Sequence, residues 1–425
     1  MKAVLSNRIY MDVTPEFEEH LDKELTYKIP SYNEEAPPTV IRNMSLVRPG
    51  IVTIPIGRTD LIPSNYEIVD KRIKSPCDFP DFKFSLRPSQ QEVYDALNDN
   101  AIINAWVSWG KTFTGLAIAG KLKQKTLIVT HTIPLRNQWA RETEKVYGFS
   151  PSVIGSGSFD MSKPITVANT QTLYRNIPKV SREFGTIILD EMHHVSSPTF
   201  SKVLDSNYAR YKIGLSGTLL RKDGKHVVFR DYFSNNIFKP PKENYMVPEI
   251  HIAETGIRFM DGANIPWANR VNNLTQTEEY KVLVTLLARK YADQGHKVLV
   301  LSDRVEFLET ISKMIGDKAV AVTGKVKGDR ESIINSINFD KDVICGTQQI
   351  FSEGISQDSL SCLILATPVN NESLLTQLVG RVVREKKGKQ TPVIVDLKLI
   401  GKTATRQFNS RLGVYMKEGY KVTYL

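Results

Sequence analysis

Apolar residues in this chain come in short runs separated by longer stretches of helical spacing. Ala101-Ile102-Ile103, Thr126-Leu127-Ile128-Val129, Ile165-Thr166-Val167 and Thr186-Ile187-Ile188-Leu189 are short, β-branched and uninterrupted, the signature of strands buried on both faces. Helical patterns such as Gly115 to Leu122 lie between them, and this alternation predicts a parallel sheet with helices on both sides. The same alternation resumes after residue 278 with Lys297-Val298-Leu299-Val300-Leu301, Ala319-Val320-Ala321-Val322, Asp342-Val343-Ile344-Cys345, Cys362-Leu363-Ile364-Leu365 and Pro392-Val393-Ile394-Val395. Residues 1–83 carry only short strand-like pieces, such as Gly50 to Ile56, and one helical stretch near Glu16 to Leu25. Pro37-Pro38, Pro76 and Pro80 punctuate this block. Prolines 240, 241, 248 and 266, with weak periodicity around them, read as a linker. The expected organisation is a small α+β module at 1–83, an α/β domain at 84–243, a linker at 244–277 and a second α/β domain at 278–425.

Composition narrows the class. The hydrophobic fraction of 41% and charged fraction of 24% are those of ordinary globular domains. Lys and Arg number 56 against 46 Asp and Glu, a surplus of +10 that fits a polyanionic partner without requiring one. The three cysteines, Cys77, Cys345 and Cys362, have no CxxC spacing, so neither a zinc site nor a disulfide framework is expected. The first residues lack the apolar core of a signal peptide, and no apolar run approaches the ~18–20 residues of a membrane span. A soluble, cytoplasmic protein is the expectation.

The candidate chemistry begins at Asp190-Glu191-Met192-His193-His194, directly after the apolar run Thr186 to Leu189. Two carboxylates at the tip of a buried strand are costly unless a positive group meets them. In an α/β sheet that group is commonly Mg2+ carried with a nucleoside triphosphate. The phosphate loop this requires lies upstream, in Ala105 to Thr112 ending Gly110-Lys111-Thr112, after a strand and before a helix. Lys111 would reach the β- and γ-phosphates, Thr112 and Asp190 would hold Mg2+, and Glu191 would polarise the attacking water. A Gly-Lys-Thr tripeptide alone could be a surface turn, and one acid at a strand end could cap the next helix. Neither accounts for both features together. Adjacent histidines do not share a helix face, so His193 and His194 are a poor zinc pair.

The motifs then follow a familiar order. Leu86-Arg87-Pro88-Ser89-Gln90, His131 to Trp139, Asn169-Thr170-Gln171-Thr172-Leu173 and Leu215-Ser216-Gly217-Thr218-Leu219 precede a second set. That set is Val300 to Arg304, Thr323-Gly324 with Arg330, Gly346-Thr347 through Ser356, and Gln377-Leu378-Val379-Gly380-Arg381-Val382-Val383-Arg384. Over roughly residues 84–400 the chain resembles a superfamily 2 helicase. Its DExHH box and small N-terminal module are most similar to phage UvsW-type branch-migration helicases, more distantly to XPB-type and RecG-type enzymes. The resemblance implies two tandem RecA-like domains, ATP and Mg2+ as cofactors, and DNA as partner, in forked, branched or Holliday-junction form. It implies 3′→5′ unwinding or branch migration in recombination, repair or replication. It places Gln90, Gly354 and Gln377 in nucleotide binding, with Arg381 and Arg384, three apart on one helix face, as arginines that reach the γ-phosphate when the lobes close. Thr132, Arg136, Thr170, Arg304 and Thr347 become strand contacts, and His193, His194, Ser216 and Thr218 the coupling elements. An RNA helicase and a non-unwinding ATP-gated nucleic-acid clamp are the alternatives.

Overall fold

The computed structural model describes residues 1–30, 37–194, 197–219, 224–262, 264–324, 341–352 and 358–425. The chain divides after Glu243 into two compact units. Among the described residues no helix is long and apolar enough to cross a membrane.

Among the described residues the first unit holds three sheets. Strands β1 (Lys2–Leu5), β2 (Ile9–Asp12), β5 (Ser45–Arg48), β6 (Ile51–Ile54) and β7 (Glu67–Asp70) form a five-stranded sheet in the order β5-β6-β2-β1-β7, and β3 (Thr26–Ile29) pairs antiparallel with β4 (Thr39–Arg42). Helix Pro15–Glu24 covers this module. Thr14 caps it by accepting from the Phe17 N–H at 3.3 Å, Pro15 opens it, and Leu21 is its buried anchor.

The large sheet contains β8 (Ala101–Asn104), β9 (Thr126–Thr130), β10 (Ser152–Gly155), β11 (Ser158–Phe159), β12 (Ile165–Asn169), β13 (Thr186–Leu189), β14 (Tyr211–Ser216) and β15 (Ile237–Phe238). Their order is β11-β10-β12-β9-β13-β14-β8-β15, parallel except for the β10–β11 hairpin. Successive residues feed opposite cores. Ile103 and Ile188 pack on one side of the sheet, Ile102, Ile187 and Leu189 on the other. This two-sided burial is why the strand sequences are continuous apolar runs.

The N-terminal module is fastened to the large sheet by buried polar groups. Asp231, fully buried, accepts from Asn43 Nδ2 at 2.6 Å, Tyr27 Oη at 2.9 Å and Arg58 Nη1 at 3.5 Å. A Cβ at Gly57 would lie 2.0 Å from the Arg230 carbonyl oxygen, so only glycine admits this approach. Lys212, 1% exposed, donates to the Leu204 carbonyl at 2.7 Å and to that of Asn7 at 3.5 Å. Burial pushes its ammonium down to about 7, although Asp205 opposes the shift. In the unfolded chain a lysine titrates near ~10.4, so from about pH 7 upward the unfolded state binds the extra proton and stability rises with pH. Lys212→Met is expected to flatten that rise, read as Tm at pH 7 and pH 9.5 in both proteins. An unchanged slope would show that Lys212 is charged in the folded protein.

The second unit is one parallel sheet of β16 (Glu249–Arg258), β17 (Lys297–Ser302), β18 (Ala319–Val322), β19 (Val343–Thr347), β20 (Leu360–Leu365), β21 (Val393–Ile400) and β22 (Lys421–Tyr424). The order is β18-β19-β17-β20-β21-β16-β22. Val298 and Val300 face one core, Leu299 and Leu301 the other. Here the linker expected at 244–277 is corrected. Residues 249–258 are a ten-residue strand seated between β21 and β22, followed by helix Trp267–Gln276 with Val271 and Leu274 buried. Glu249 to Ile252 alternates polar and apolar, and Ile250 and Ile252 are fully buried, so the segment belongs to the sheet.

Candidate nucleotide site

The phosphate loop leaves the carboxyl end of β8 and the acidic box leaves that of β13, two strands away across β14, on the sheet edge where open α/β folds hold ligands. The loop departs from the usual small-residue pattern, and the structure explains how. Trp109 is fully buried, and its indole Nε1 donates to Ser89 Oγ at 2.8 Å. Ser89 and Trp109 thus answer each other, since a buried indole needs an acceptor. Gln90 bridges the same region: Nε2 donates to the Trp109 carbonyl at 2.8 Å and Oε1 accepts from the Arg87 N–H at 2.9 Å. Arg87 also donates to that carbonyl. Gly110 has φ +91° and a Cβ there would lie 2.7 Å from Gln90 Nε2; Ser108 holds φ +69° without being glycine. Such conformations persist where surroundings enforce them and cluster at ligand sites.

Helix Lys111–Leu122 follows, with Lys111 and Thr112 in its first turn. Lys111 Nζ donates to the carbonyls of Ala105 at 3.0 Å and Trp106 at 3.5 Å. An added Cβ at Gly217 would lie 3.6 Å from it.

Asp190 is 5% exposed and accepts from Trp139 Nε1 at 2.7 Å and from the Glu191 N–H at 2.9 Å. Burial first, then the charge of Glu191, raises its carboxyl above the ordinary range. Burial also acts upward on Glu191, but the hydrogen bond and charge of His193, with Lys111 and His131, outweigh it and hold that carboxyl low. Glu191 is therefore the stronger acid of the pair, and its side chain keeps 20% of its surface, enough for a water to reach it. Glu191 adopts φ +49°, an unusual conformation for a non-glycine residue.

His193 joins this box to the tip of β14. Its Nδ1 lies 3.2 Å from Glu191 Oε2 and 3.3 Å from Ser216 Oγ. The Ser216 hydroxyl gives its one proton to the Thr218 carbonyl at 2.6 Å and accepts from the Thr218 N–H at 3.3 Å. Ser216 is then an acceptor toward His193, and the proton is assigned to Nδ1, shared between Glu191 and Ser216. His194 closes the turn Met192–His194, and its side chain lies outside the described residues.

Two participants went unassigned in the sequence. Trp139 orients Asp190, and the signal was a tryptophan at the end of the His131–Trp139 motif, whose indole must find an acceptor once buried. His131, the first residue of the same motif, is the other: burial lowers its pKa, and it lies close enough to Glu191 for that charge to be felt.

The residues present fit a magnesium-bound nucleotide. Asp190 is a buried carboxylate whose named partners are two N–H donors, set beside Lys111 and a glycine-initiated helix, and Mg2+ needs few protein oxygens. Among the described residues no cluster of three or more His, Cys, Asp or Glu stands ready for an all-protein metal site.

The strand-contact expectations fare unevenly. Thr132 caps helix Ile133–Tyr147 by accepting from the Leu135 N–H at 3.4 Å. Arg136 is corrected: it is 6% exposed and donates to Asn169 Oδ1 at 2.9 Å and Ser156 Oγ at 3.0 Å, so it braces the β10–β11 turn rather than facing solvent. Thr170 is corrected too, being fully buried with its hydroxyl on the Thr130 carbonyl at 3.0 Å. In the second unit Arg304 is tied to Asn272 Oδ1 and to Asp303 Oδ2 at 3.0 Å, and Thr347 ends β19 half-buried. Gln377 lies on helix Glu372–Val379. The shared helix face of Arg381 and Arg384 is also corrected. The helix stops at Val379, Arg381 lies in the turn after Gly380, and Arg384 forms a β-bridge with Tyr245 and an ion pair with Asp358 at 3.3 Å. Val382 and Val383, both fully buried, pull this segment into the core, where Met246 N–H donates to the Val383 carbonyl at 2.7 Å. Gly354, Ser356 and Arg330 lie outside the described residues.

Known proteins place this geometry. Residues 83–221 match the family described as Type III restriction enzyme, res subunit, and residues 278–386 match the Helicase conserved C-terminal domain. The chain is 41% identical to Probable helicase D10 of Escherichia phage T5 over 99% of this chain and 95% of that protein. It is 26% identical to the ATP-dependent DNA helicase uvsW of Enterobacteria phage T4 over 72% of this chain and 66% of that one. The structure of S. cerevisiae Dbp5 bound to RNA and ADP BeF3 shares the fold at a TM-score of 0.57 and 10% identity, covering 80% of this chain and 89% of Dbp5. A phosphate loop and an acidic box on one parallel sheet, a second parallel sheet carrying the later motifs, and this relationship to a phage helicase along nearly its whole length lead to one statement: the chain belongs to the superfamily 2 helicases, built from two RecA-like domains and using ATP to act on nucleic acid.

Proposed function

We propose that this protein is an ATP-driven DNA helicase or translocase that unwinds or branch-migrates forked and junction DNA with 3′→5′ polarity. The observation that carries the reading is the chain Glu191–His193–Ser216–Thr218, which ties the group that activates water to the strand tip following β14. A shift at Thr218 reaches the carboxylate through the Ser216 hydroxyl and the shared His193 proton. A nucleic-acid partner is supported by the excess of 10 positive charges, and DNA over RNA by the relationship to a phage DNA helicase.

In this reading Lys111 holds the β- and γ-phosphates, Gln90 meets the base once its amide leaves the Trp109 carbonyl and the Arg87 N–H, and Glu191 takes the proton of the attacking water. Thr112 and Asp190 would hold Mg2+, which when bound supplies charge neutralisation across the phosphates. Thr132, Arg304 and Thr347 contact the strand. Gln377 and Arg381 act on the nucleotide together with Arg384, which must leave Asp358 to do so. Arg384→Ala is expected to lower turnover by ~10³–10⁵ while ATP affinity changes less than about tenfold. Equal losses in kcat and affinity would make it a ground-state binding residue instead.

The test of function is a panel of single-stranded, duplex, forked and four-way DNA beside matching RNA, scored for ATPase stimulation and for strand displacement or junction movement. DNA should stimulate more than RNA, and forked or four-way substrates should be remodelled. Stimulation by RNA alone overturns the DNA reading, and turnover that moves no strand or junction overturns the motor. The panel requires the full chain, because deleting residues 1–83 would leave Asp231 and Lys212 buried without Tyr27, Asn43, Arg58 and Asn7.

A further inference from the structure

The second unit contains a polar junction that ties two of the later motifs to Thr367, a residue outside all of them. The strands β19, β17 and β20 are neighbours, and side chains tie their carboxyl ends together. Ser302, the last residue of β17, is fully buried and its Oγ lies 2.7 Å from Thr367 Oγ1, itself 1% exposed just beyond β20. Ser302 Oγ also accepts from the Arg304 N–H at 3.1 Å, fixing the turn on which Arg304 stands. Gln348, directly after Thr347, donates Nε2 to the Thr367 carbonyl at 3.3 Å. From Thr367 the chain runs through Val369 into helix Glu372–Val379 and then to Arg381 and Arg384. The start of that path is held by the Tyr280 hydroxyl on the Ala366 carbonyl at 2.8 Å, its middle by Arg411 on the Val369 carbonyl at 3.2 Å.

Apolar residues of the same size would fill this space, so packing alone does not call for hydroxyls here. A buried hydroxyl pair fixes one relative arrangement of the strand ends, and breaking it leaves a group without a partner. The positions so fixed are those that carry the proposed strand contacts, Arg304 and Thr347, and the origin of the segment bearing the arginines. We propose that Thr367, with Ser302 and Gln348, is a positioning junction through which the second unit converts strand engagement into placement of Arg381 and Arg384. This rests on the nucleic-acid-stimulated ATPase reading given above.

The test uses the full chain and compares Thr367→Val, Thr367→Ser and the double variant Ser302→Ala/Thr367→Val. The double variant removes both hydroxyls of the pair, so neither faces a missing partner; it also takes the acceptor from the Arg304 N–H, and Tm of each variant reads any folding defect. ATPase is measured with and without a saturating single-stranded DNA oligonucleotide, beside oligonucleotide affinity and Tm. Unstimulated turnover should stay within about twofold, stimulated kcat should fall about tenfold and oligonucleotide Kd should move less than about threefold, in Thr367→Val and the double variant alike. Thr367→Ser should restore stimulation. Full stimulation in the double variant overturns the junction while leaving the functional reading intact. So does an equal loss of both rates that serine fails to rescue, since that marks a purely structural role. If neither DNA nor RNA stimulates the unaltered protein, the functional reading falls and the junction with it.

Discussion

Lys111→Ala is expected to lower ATP turnover by about 10³-fold or more, because in the proposed mechanism it removes a preorganised cation from the place where phosphate charge develops. The lysine begins the helix that Gly110 opens, and the carbonyls of Ala105 and Trp106 hold its ammonium over the loop it closes. Its charge also acts on both members of the acidic box, lowering Asp190 and Glu191. The substitution therefore removes a phosphate contact and leaves two neighbouring carboxyls less well compensated. ATP affinity should fall as well, since the same charge meets the ground-state phosphates. Lys111→Arg tests geometry against charge: the planar guanidinium keeps the charge but cannot place it as a point over the loop, so most of the defect should remain. Phosphate release in steady state reads the result, and a Lys111→Ala protein within tenfold of normal turnover would remove the loop from the mechanism.

The sequence carried the parts of this molecule whose physics is local. Runs such as Thr186 to Leu189 reveal themselves because a strand buried on both faces is made almost wholly of apolar and β-branched residues, and the acid pair at its end is conspicuous for the same reason. The strand Glu249–Arg258 was concealed because its buried isoleucines alternate with Glu249 and His251 and prolines stand before it. β22 was concealed because Lys421, Thr423 and Tyr424 are exposed on an edge. At the site, the roles of Trp109 and Ser89 could not be read singly. Trp109 by itself is only a large residue in a small-residue loop, and contact between residues 20 positions apart makes it and Ser89 a pair. Arg136 and Thr170 show the reverse error: a residue type suited to phosphate, at a fitting motif position, is turned inward by Asn169, Ser156 and Thr130. Arg381 and Arg384 kept their sequence spacing but lost the helix that would have made it a face, because two buried valines end it.

Glu191→Gln should separate binding from chemistry. Glutamine keeps the size of the side chain and an oxygen to accept from His193 Nδ1, so the link to Ser216 and Thr218 survives. What it loses is the ability to take a proton, and turnover is expected to fall by ~10²–10⁴. ATP affinity should hold within about threefold, for a reason specific to this site. The charge of Glu191 is one of the causes that raise Asp190. Without it Asp190 ionises more readily, which favours the form that would hold Mg2+ with the nucleotide. The variant should therefore accumulate with ATP bound and unhydrolysed, and its complex with DNA should persist in ATP but dissociate in ADP. Asp190→Asn is the contrasting control. It removes the carboxylate that Trp139 orients, and affinity for the magnesium nucleotide should fall with the rate. Equilibrium binding of a fluorescent ATP analogue, with single-turnover hydrolysis, distinguishes the two variants. If Glu191→Gln loses affinity as far as it loses rate, Glu191 is a ligand of the ground state, and another group must take the proton.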